Sequence, residues 1–521
     1  MIGAATMTSR VLGLAREQVM AYLFGAGNAV DAFNVAFRIP NLVRDLFAEG
    51  VMSAAFIPTF TRSLTLEGRT AAWRLGNHVV NGLLLATLVI VVAGLVFAQP
   101  FVMLLAGDFA AVPGKIELTV LLTRVMMPFL ILVALAAAAM GMLNSVDRYF
   151  VPALSPAVFN VFSILTTIAL VPVLAPTGLP VILSVAIGVL VGGLGQLFMQ
   201  VPTLYREGYR YEPCLDPSEP RLREVLLLMG PGTIGLAATQ INMFVNTWLA
   251  TGEGTGAVSW LGYAYRLMYL PLGLFGVSIA TASMPAIARR AADGDVAGLR
   301  KTLSSGVAMM LALNVPATLG LIVLSHPIVA LLFERGRFTA ADTAATANAV
   351  VCYAVGLTGY SIVKVATPTF YALGDSRTPV ALSVMTVLAN AALNIAFVHS
   401  LGYRGLALGT SLTALLSAGV LMLILRNRLD GINGGRLGSV LVRQGIASIA
   451  MAAAAWLVER QLHVSLPGHD LFSQIVRVGV SIGAALAILI VTSRLFGVSE
   501  LNELVDGVVR RLRRKPVPPQ V

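Results

Sequence analysis

Five arginines lie inside apolar stretches of this sequence. Arg10, Arg16, Arg38 and Arg44 come early, and Arg266 repeats the setting of Arg38 in the second half. A charged side chain near a bilayer centre costs about 2.5–3.5 kcal/mol on insertion scales, so several of them imply a use. A guanidinium stays charged and forks onto phosphate or carboxylate oxygens. These residues predict an anion-binding cavity inside a membrane protein, suited to a transporter of a large anionic substrate.

The residues around them refine that chemistry. In Ser9-Arg10-Val11-Leu12-Gly13-Leu14-Ala15-Arg16-Glu17, Gly13 and Ala15 admit a close neighbour. On a regular helix Arg10 and Arg16 stand about 120° apart, the corner of a cavity rather than one stripe. In the second block, Arg38, Asn41, Asp45 and Glu49 fall within roughly 80° of one face, with Arg44 beside them and Pro40 disturbing the estimate. A polar stripe of this kind should face a cavity rather than lipid. Asp31 and Glu49 supply negative charge that would hold the arginines when no substrate is bound. Two blander outcomes stay open: snorkelling of Arg10 to the nearer interface, and structural ion pairs such as Arg16 with Glu17. Arg266 is flanked by Tyr263, Tyr265 and Tyr269. Gln240, Asn242, Asn246, Asn390 and Asn394 carry amides that either coordinate a cation through oxygen or, more often, bond helices together.

The elements that must position these residues are membrane helices. The chain has 521 residues, is 57% hydrophobic and 12% charged, and has a mean hydropathy of +0.83. Its apolar runs number about fourteen, each long enough to cross a hydrocarbon core of about 30 Å. They cover approximately 3–24, 30–62, 76–105, 117–143, 150–173, 178–203, 223–250, 257–288, 301–333, 343–373, 378–399, 403–426, 438–459 and 471–495. Without water the backbone must bond to itself, so these runs are expected to be helices, and the alternation of a membrane barrel is absent. The second run is overlong and should bend or break at Pro40 or Pro58. The charges inside the first run argue against a cleavable signal peptide.

Charge orients the chain. Most Lys and Arg fall in loops after even-numbered spans and in the tail, among them Arg62, Arg69, Arg74, Arg206, Arg289, Arg290, Lys301, Arg426 and the run Arg510 to Lys515. The positive-inside rule then places both termini in the cytoplasm. The net charge of +11 is explained by loops facing anionic lipid rather than by nucleic acid. Cys214 and Cys352 have no metal or redox spacing and read as reduced thiols. No catalytic motif, phosphate loop or ATPase domain is present, which argues against an enzyme.

The halves echo each other. Ala36-Phe37-Arg38, Leu46-Phe47 and Ile57-Pro58 return as Ala264-Tyr265-Arg266, Leu274-Phe275 and Met284-Pro285, with one residue of slip. Leu143-Asn144 with Asp147-Arg148 and Pro152 returns as Leu373-Gly374-Asp375 with Arg377 and Pro379. Six spans of like orientation in each half make a parallel repeat about the membrane normal, as in alternating-access transporters. The expected division is a first lobe over 1–205, a cytoplasmic loop over 206–222, a second lobe over 223–428, two extra helices over 429–496 and a basic cytoplasmic tail over 497–521. The fold class is an all-α polytopic membrane protein: two six-helix lobes plus two C-terminal helices.

At these residues the chain closely resembles the MurJ (MviN) family, within the MOP transporter superfamily. The resemblance is carried by Ser9-Arg10-Val11-Leu12-Gly13, Ala15-Arg16, Phe24-Gly25-Ala26-Gly27, Asp31-Ala32-Phe33, Pro40-Asn41-Leu42 with Arg44, Phe47-Ala48-Glu49-Gly50, and Val258-Ser259-Trp260 through Arg266-Leu267-Met268. It implies a V-shaped cavity between two lobes, with the last two helices forming a groove for a polyprenyl tail. It implies that Arg10, Arg16, Arg44 and Arg266 are cavity arginines and that Asp31 is a gating position. It implies movement of lipid II, the undecaprenyl-pyrophosphate-linked disaccharide-pentapeptide of peptidoglycan synthesis, from the inner to the outer leaflet of the bacterial cytoplasmic membrane. Tyr265 and Tyr269 stand where some relatives carry an acid. Asn246, Asn390, Asn394 and Thr410 match a sodium site of some relatives but include no carboxylate, which makes a weaker cation cage. No cofactor is expected, and coupling to sodium or to the membrane potential stays open. The expected partners are lipid II, membrane lipids and other cell-wall synthesis proteins. The alternatives are a flippase for another polyprenyl-linked glycan, a drug exporter of the same superfamily, and a non-transporting scaffold for cell-wall enzymes.

Overall fold

The computed structural model describes residues 2–45, 55–214, 216, 219–468, 470–504 and 506. Its regular structure is helical, as a backbone in hydrocarbon requires. By internal packing the chain divides into two units. The first comprises Met1–Ser259 with Arg335–Thr339, and the second Trp260–Glu334 with Ala340–Val521.

The first unit contains α1 (Ile2–Phe24), α2 (Asn28–Asp45), α3 (Ile57–Leu66), α4 (Arg69–Val96), α5 (Ala98–Ala106), α6 (Lys115–Met126), α7 (Phe129–Ser145), α8 (Phe150–Leu174), α9 (Leu183–Arg206) and α10 (Pro220–Thr251). The opening turn of α11 (Ala257–Pro271) also belongs to it, and the rest of α11 to the second unit. The second unit continues with α12 (Val277–Ala292), α13 (Val296–Val323), α14 (Ser325–Phe333), α15 (Ala340–Ala354), α16 (Leu357–Ala372), α17 (Arg377–Leu401), α18 (Tyr403–Arg428), α19 (Gly434–Ser465) and α20 (Leu471–Leu495).

Among the described residues ten helices are long and apolar enough to cross a membrane, and eleven if α15 and α16, bent by 43°, count as one span. This multi-pass pattern agrees with the expected fold class. The expected count of about fourteen needs α1, α2 and α10 as well, none of which is among the eleven. For α1 and α2 the physical reason is plain: they carry the charges that drew attention to them. The overlong second run is described as two helices, α2 and α3, with Pro40 inside the first and Pro58 in the opening turn of the second.

Packing in each unit is close. In the first, Phe56, Phe60, Trp73 and Tyr209 form an aromatic chain with centroids 5.3, 5.6 and 5.6 Å apart. Between α8 and α9, Gly188 and Gly192 let the backbones touch: a Cβ on either would meet the carbonyl of Ser163 at 2.9 Å or of Phe159 at 2.7 Å. This is the small-residue contact expected where no hydrophobic drive separates helix from lipid. In the second unit one core joins α13, α16 and α18 through Leu303, Met310, Phe370 and Leu425, and another joins α13, α14, α19 and α20 through Ala312, Leu324, Ala447, Met451 and Leu489.

Candidate anion site

The first unit holds two of the predicted arginines, Arg16 on α1 and Arg44 on α2, within electrostatic reach of one another. Each is held by the acid that follows it in sequence. Arg16 Nη2 donates to Glu17 Oε1 at 3.0 Å, and the Glu17 side chain is only 6% exposed. Arg44 donates from Nε at 2.9 Å and from Nη2 at 2.6 Å to Asp45 Oδ1. Asp45 Oδ2 accepts from Gln240 Nε2 on α10 at 3.4 Å. Arg16 also lies over the Phe159 ring at 5.4 Å. Phe159 stands where α8 meets Gly192, so the close helix contact helps set the ring beneath the guanidinium. The α1–α8 seam is pinned by Asn160 Nδ2, which donates to the Ser9 carbonyl at 3.2 Å.

The remaining candidates occupy distinct places. Arg10 is exposed on α1. Arg38 is partly exposed on α2, and Asn41, one turn further on, has a buried Oδ1 with no partner among the described residues. Glu49 lies outside the described residues. Asp31 serves neither arginine. Its carboxylate, 0% exposed, accepts from Lys115 Nζ at 3.0 Å, the Gly256 N–H at 2.7 Å, the Ser259 N–H at 3.1 Å and the Ser259 hydroxyl at 2.7 Å. A carboxylate at a helix N-terminus satisfies orphan N–H groups and complements the dipole. Asp31 does this for the first turn of α11. Lys115 lies over the Phe109 ring at 3.8 Å and borders a cavity of about 560 Å³, lined also by Asp108, Thr251 and Thr255.

Arg266 is in the second unit, partly buried on α11. Tyr265 is 6.0 Å from Tyr269 and 5.6 Å from Tyr353, centroid to centroid, and Tyr263 packs on Phe333 at 4.9 Å. Directly beyond Pro271 the helix loosens into a π turn over Leu272–Gly276, an irregularity frequent at functional sites. Trp260 Nε1 donates to Asp342 Oδ1 at 2.9 Å.

Of the four amide and hydroxyl residues, three meet. Asn394 Nδ2 donates to Asn390 Oδ1 at 2.9 Å, and Asn390 Nδ2 to Thr410 Oγ1 at 3.3 Å. Gly409 makes room for them, since a Cβ there would lie 2.2 Å from Asn394 Oδ1. Asn246 is on α10, in the first unit. Sequence reasoning missed Lys115, Ser259 and Gln240 as partners. Lys115 stood outside the expected span, and nothing in helical spacing links it to Asp31.

The arrangement offers two guanidiniums whose acidic partners are local and, among the described residues, leave other N–H groups for an incoming anion. The family model described as lipid II flippase MurJ matches residues 20–473. A lipid II flippase MurJ of Burkholderia cenocepacia is 34% identical over 431 residues, covering 82% of this chain and 83% of that one. A Vibrio cholerae protein described as a probable lipid II flippase MurJ is 36% identical over 430 residues, with 81% of each covered. Among solved structures, a lipid II flippase MurJ in an inward closed conformation superposes with a TM-score of 0.77 at 25% identity, over 95% of this chain and 98% of that one. An inward-facing MATE multidrug transporter of the MOP superfamily gives 0.68 at 17% identity over 82% of this chain and 96% of its own, a likeness of fold. The chain belongs to the MurJ family of lipid II flippases.

Proposed function

We propose that this protein carries lipid II from the inner to the outer leaflet of the bacterial cytoplasmic membrane by alternating access, with both termini in the cytoplasm. The observation that carries the reading is Arg16 and Arg44: two like charges within electrostatic reach of one another in an apolar unit, each ion-paired among the described residues with its sequence neighbour. A pyrophosphate would take the forked donors of both and remove their repulsion. Arg10, Arg38 and Arg266 would add to the attraction, and Asn41 Oδ1 would accept from a sugar or peptide N–H. Glu17 and Asp45 would recover the arginines once the lipid leaves. Asp31 would act on a different part of the cycle, by holding or releasing the first turn of α11. The lobes 1–205 and 223–428 would be the moving bodies, and 429–496 would receive the polyprenyl tail.

An inside-negative membrane potential favours outward movement of an anionic head group by about 2.3 kcal/mol per charge per 100 mV. We take this as the drive, with sodium bound at Asn390, Asn394 and Thr410 as the competing one. The deciding experiment is complementation. Arg16→Ala and Arg44→Ala proteins, present at normal levels, are expected not to replace an essential lipid II flippase; growth supported by both would sink the anion-site reading.

A further inference from the structure

Arg477 on α20 is 8% exposed and donates to no carboxylate among the described residues. Its Nη1 contacts His463 Nδ1 on α19 at 2.6 Å, and its Nη2 donates to the Gly468 carbonyl at 3.2 Å. An arginine has five N–H donors and no acceptor, so in this contact the ring Nδ1 is the acceptor. Three donors of the guanidinium have no partner among the described residues. One helical turn further along the same face, the Ser481 hydroxyl is buried with no partner among the described residues. The nearby acids do not reach: Asp470 caps α20 through the Ser473 N–H at 3.0 Å and hydroxyl at 2.7 Å, and Glu459, a turn before His463, makes no ion pair among the described residues.

A charge taken out of water is costly unless it is paired. Arg477 is such a charge at the end of a helical hairpin, where α19 stops at Ser465 and α20 starts at Leu471. Helix ends of this kind meet the interface, where lipid phosphates are the abundant anions. His463 is exposed, so the site is open on that side.

We infer that Arg477, with His463 as its door, binds the phosphate of a lipid at this end of the α19–α20 hairpin. Two phosphate oxygens match the two-nitrogen fork, and turning His463 away frees Nη1 for the second of them. The site itself is independent of the transport reading; only the source of the phosphate as a delivered lipid rests on it. Two sources share this chemistry, a membrane phospholipid and the pyrophosphate of the delivered lipid.

The test is native mass spectrometry of the full-length protein titrated separately with phosphatidylglycerol and with undecaprenyl pyrophosphate. Arg477→Gln is expected to weaken at least one of them about tenfold, with Arg477→Lys retaining most of the affinity. Weakening of phosphatidylglycerol alone assigns the site to the membrane, of undecaprenyl pyrophosphate alone to the delivered lipid, and of both to a shared site. His463→Glu covers the case in which Arg477→Gln does not fold. It supplies the missing carboxylate, so it should leave the melting temperature unchanged or higher while losing the lipid. Unaltered binding of both lipids to Arg477→Gln or to His463→Glu overturns the inference. Failure of the transport reading would appear instead in the Arg16 and Arg44 variants.

Discussion

Lys115 Nζ and Asp31 Oδ2 are 3.0 Å apart, and the two side chains are 2% and 0% exposed. Their pairing fixes the start of α6 to α2, while the same carboxylate holds the first turn of α11. Removing one partner of a buried pair strands the other and costs about 3–5 kcal/mol. Lys115→Met and Asp31→Asn should therefore each lower the thermal unfolding temperature in detergent. The double variant should be less damaged than the sum, by an interaction energy of about 0.5–3 kcal/mol. Additive losses would mean that the two charges do not act as a pair.

A second prediction concerns acid. At the start of α10, Arg221 is paired with Glu67 and with Glu224, the latter at 3.3 Å. Hydrogen bonds from Arg221 and then Ser63 hold the Glu67 carboxyl below its usual range. A lowered folded-state pKa adds stability above the unfolded value, and the gain is lost as pH falls through the folded value. The Glu67 contribution should thus be constant from neutral pH down to about 4.3 and disappear below that. Limited proteolysis of the 207–219 segment against pH reads this out. Glu67→Gln should flatten the acid limb, and an identical limb in both proteins would count against the pair.

Third, Gly336 is tested by contrast with Gly374. Both have left-handed φ, 60° and 74°, but a Cβ at 336 would lie 2.2 Å from the Tyr22 carbonyl, whereas at 374 nothing lies within 4 Å. The Tyr22 carbonyl also accepts from the Arg337 N–H at 3.0 Å. Left-handed backbone costs an ordinary residue about 1–2 kcal/mol. Gly374→Ala should show that cost alone, and Gly336→Ala a clearly larger one in the same thermal unfolding assay. Equal losses would place the Tyr22 contact in doubt.

Much of this was legible from residue type and period. The helical membrane class follows from composition, and the cost of charge in hydrocarbon singles out Arg16 and Arg44 as candidates. The partners were legible only in part. The Arg16–Glu17 pair was among the open outcomes in the sequence and is present, whereas the Arg44–Asp45 pair was not foreseen, because adjacent residues do not share a helix face. Asp31, expected to hold the arginines, instead meets Lys115 and Ser259, far away in sequence, and only tertiary packing brings these together. The Asn390–Asn394 pair was visible at its four-residue spacing; the contact to Thr410 needed α18 to close on α17 at Gly409.

Asn390→Ala and Asn394→Ala separate the two candidate drives. With the membrane potential as the drive, transport into vesicles should respond to an imposed potential and be indifferent to replacing sodium by potassium. The two variants should then lose activity only to the extent that they lose thermal stability. A sodium requirement abolished by either variant would transfer the drive to that cluster.

The most direct measurement is translocation of labelled lipid II in vesicles containing the purified protein, compared among wild type, Arg16→Ala, Arg44→Ala and Arg44→Lys under the same imposed potential. Losing a charge-assisted contact of about 1.5–3 kcal/mol should slow each alanine variant by roughly tenfold or more, with the lysine variant in between. Wild-type rates in both alanine variants would contradict the account.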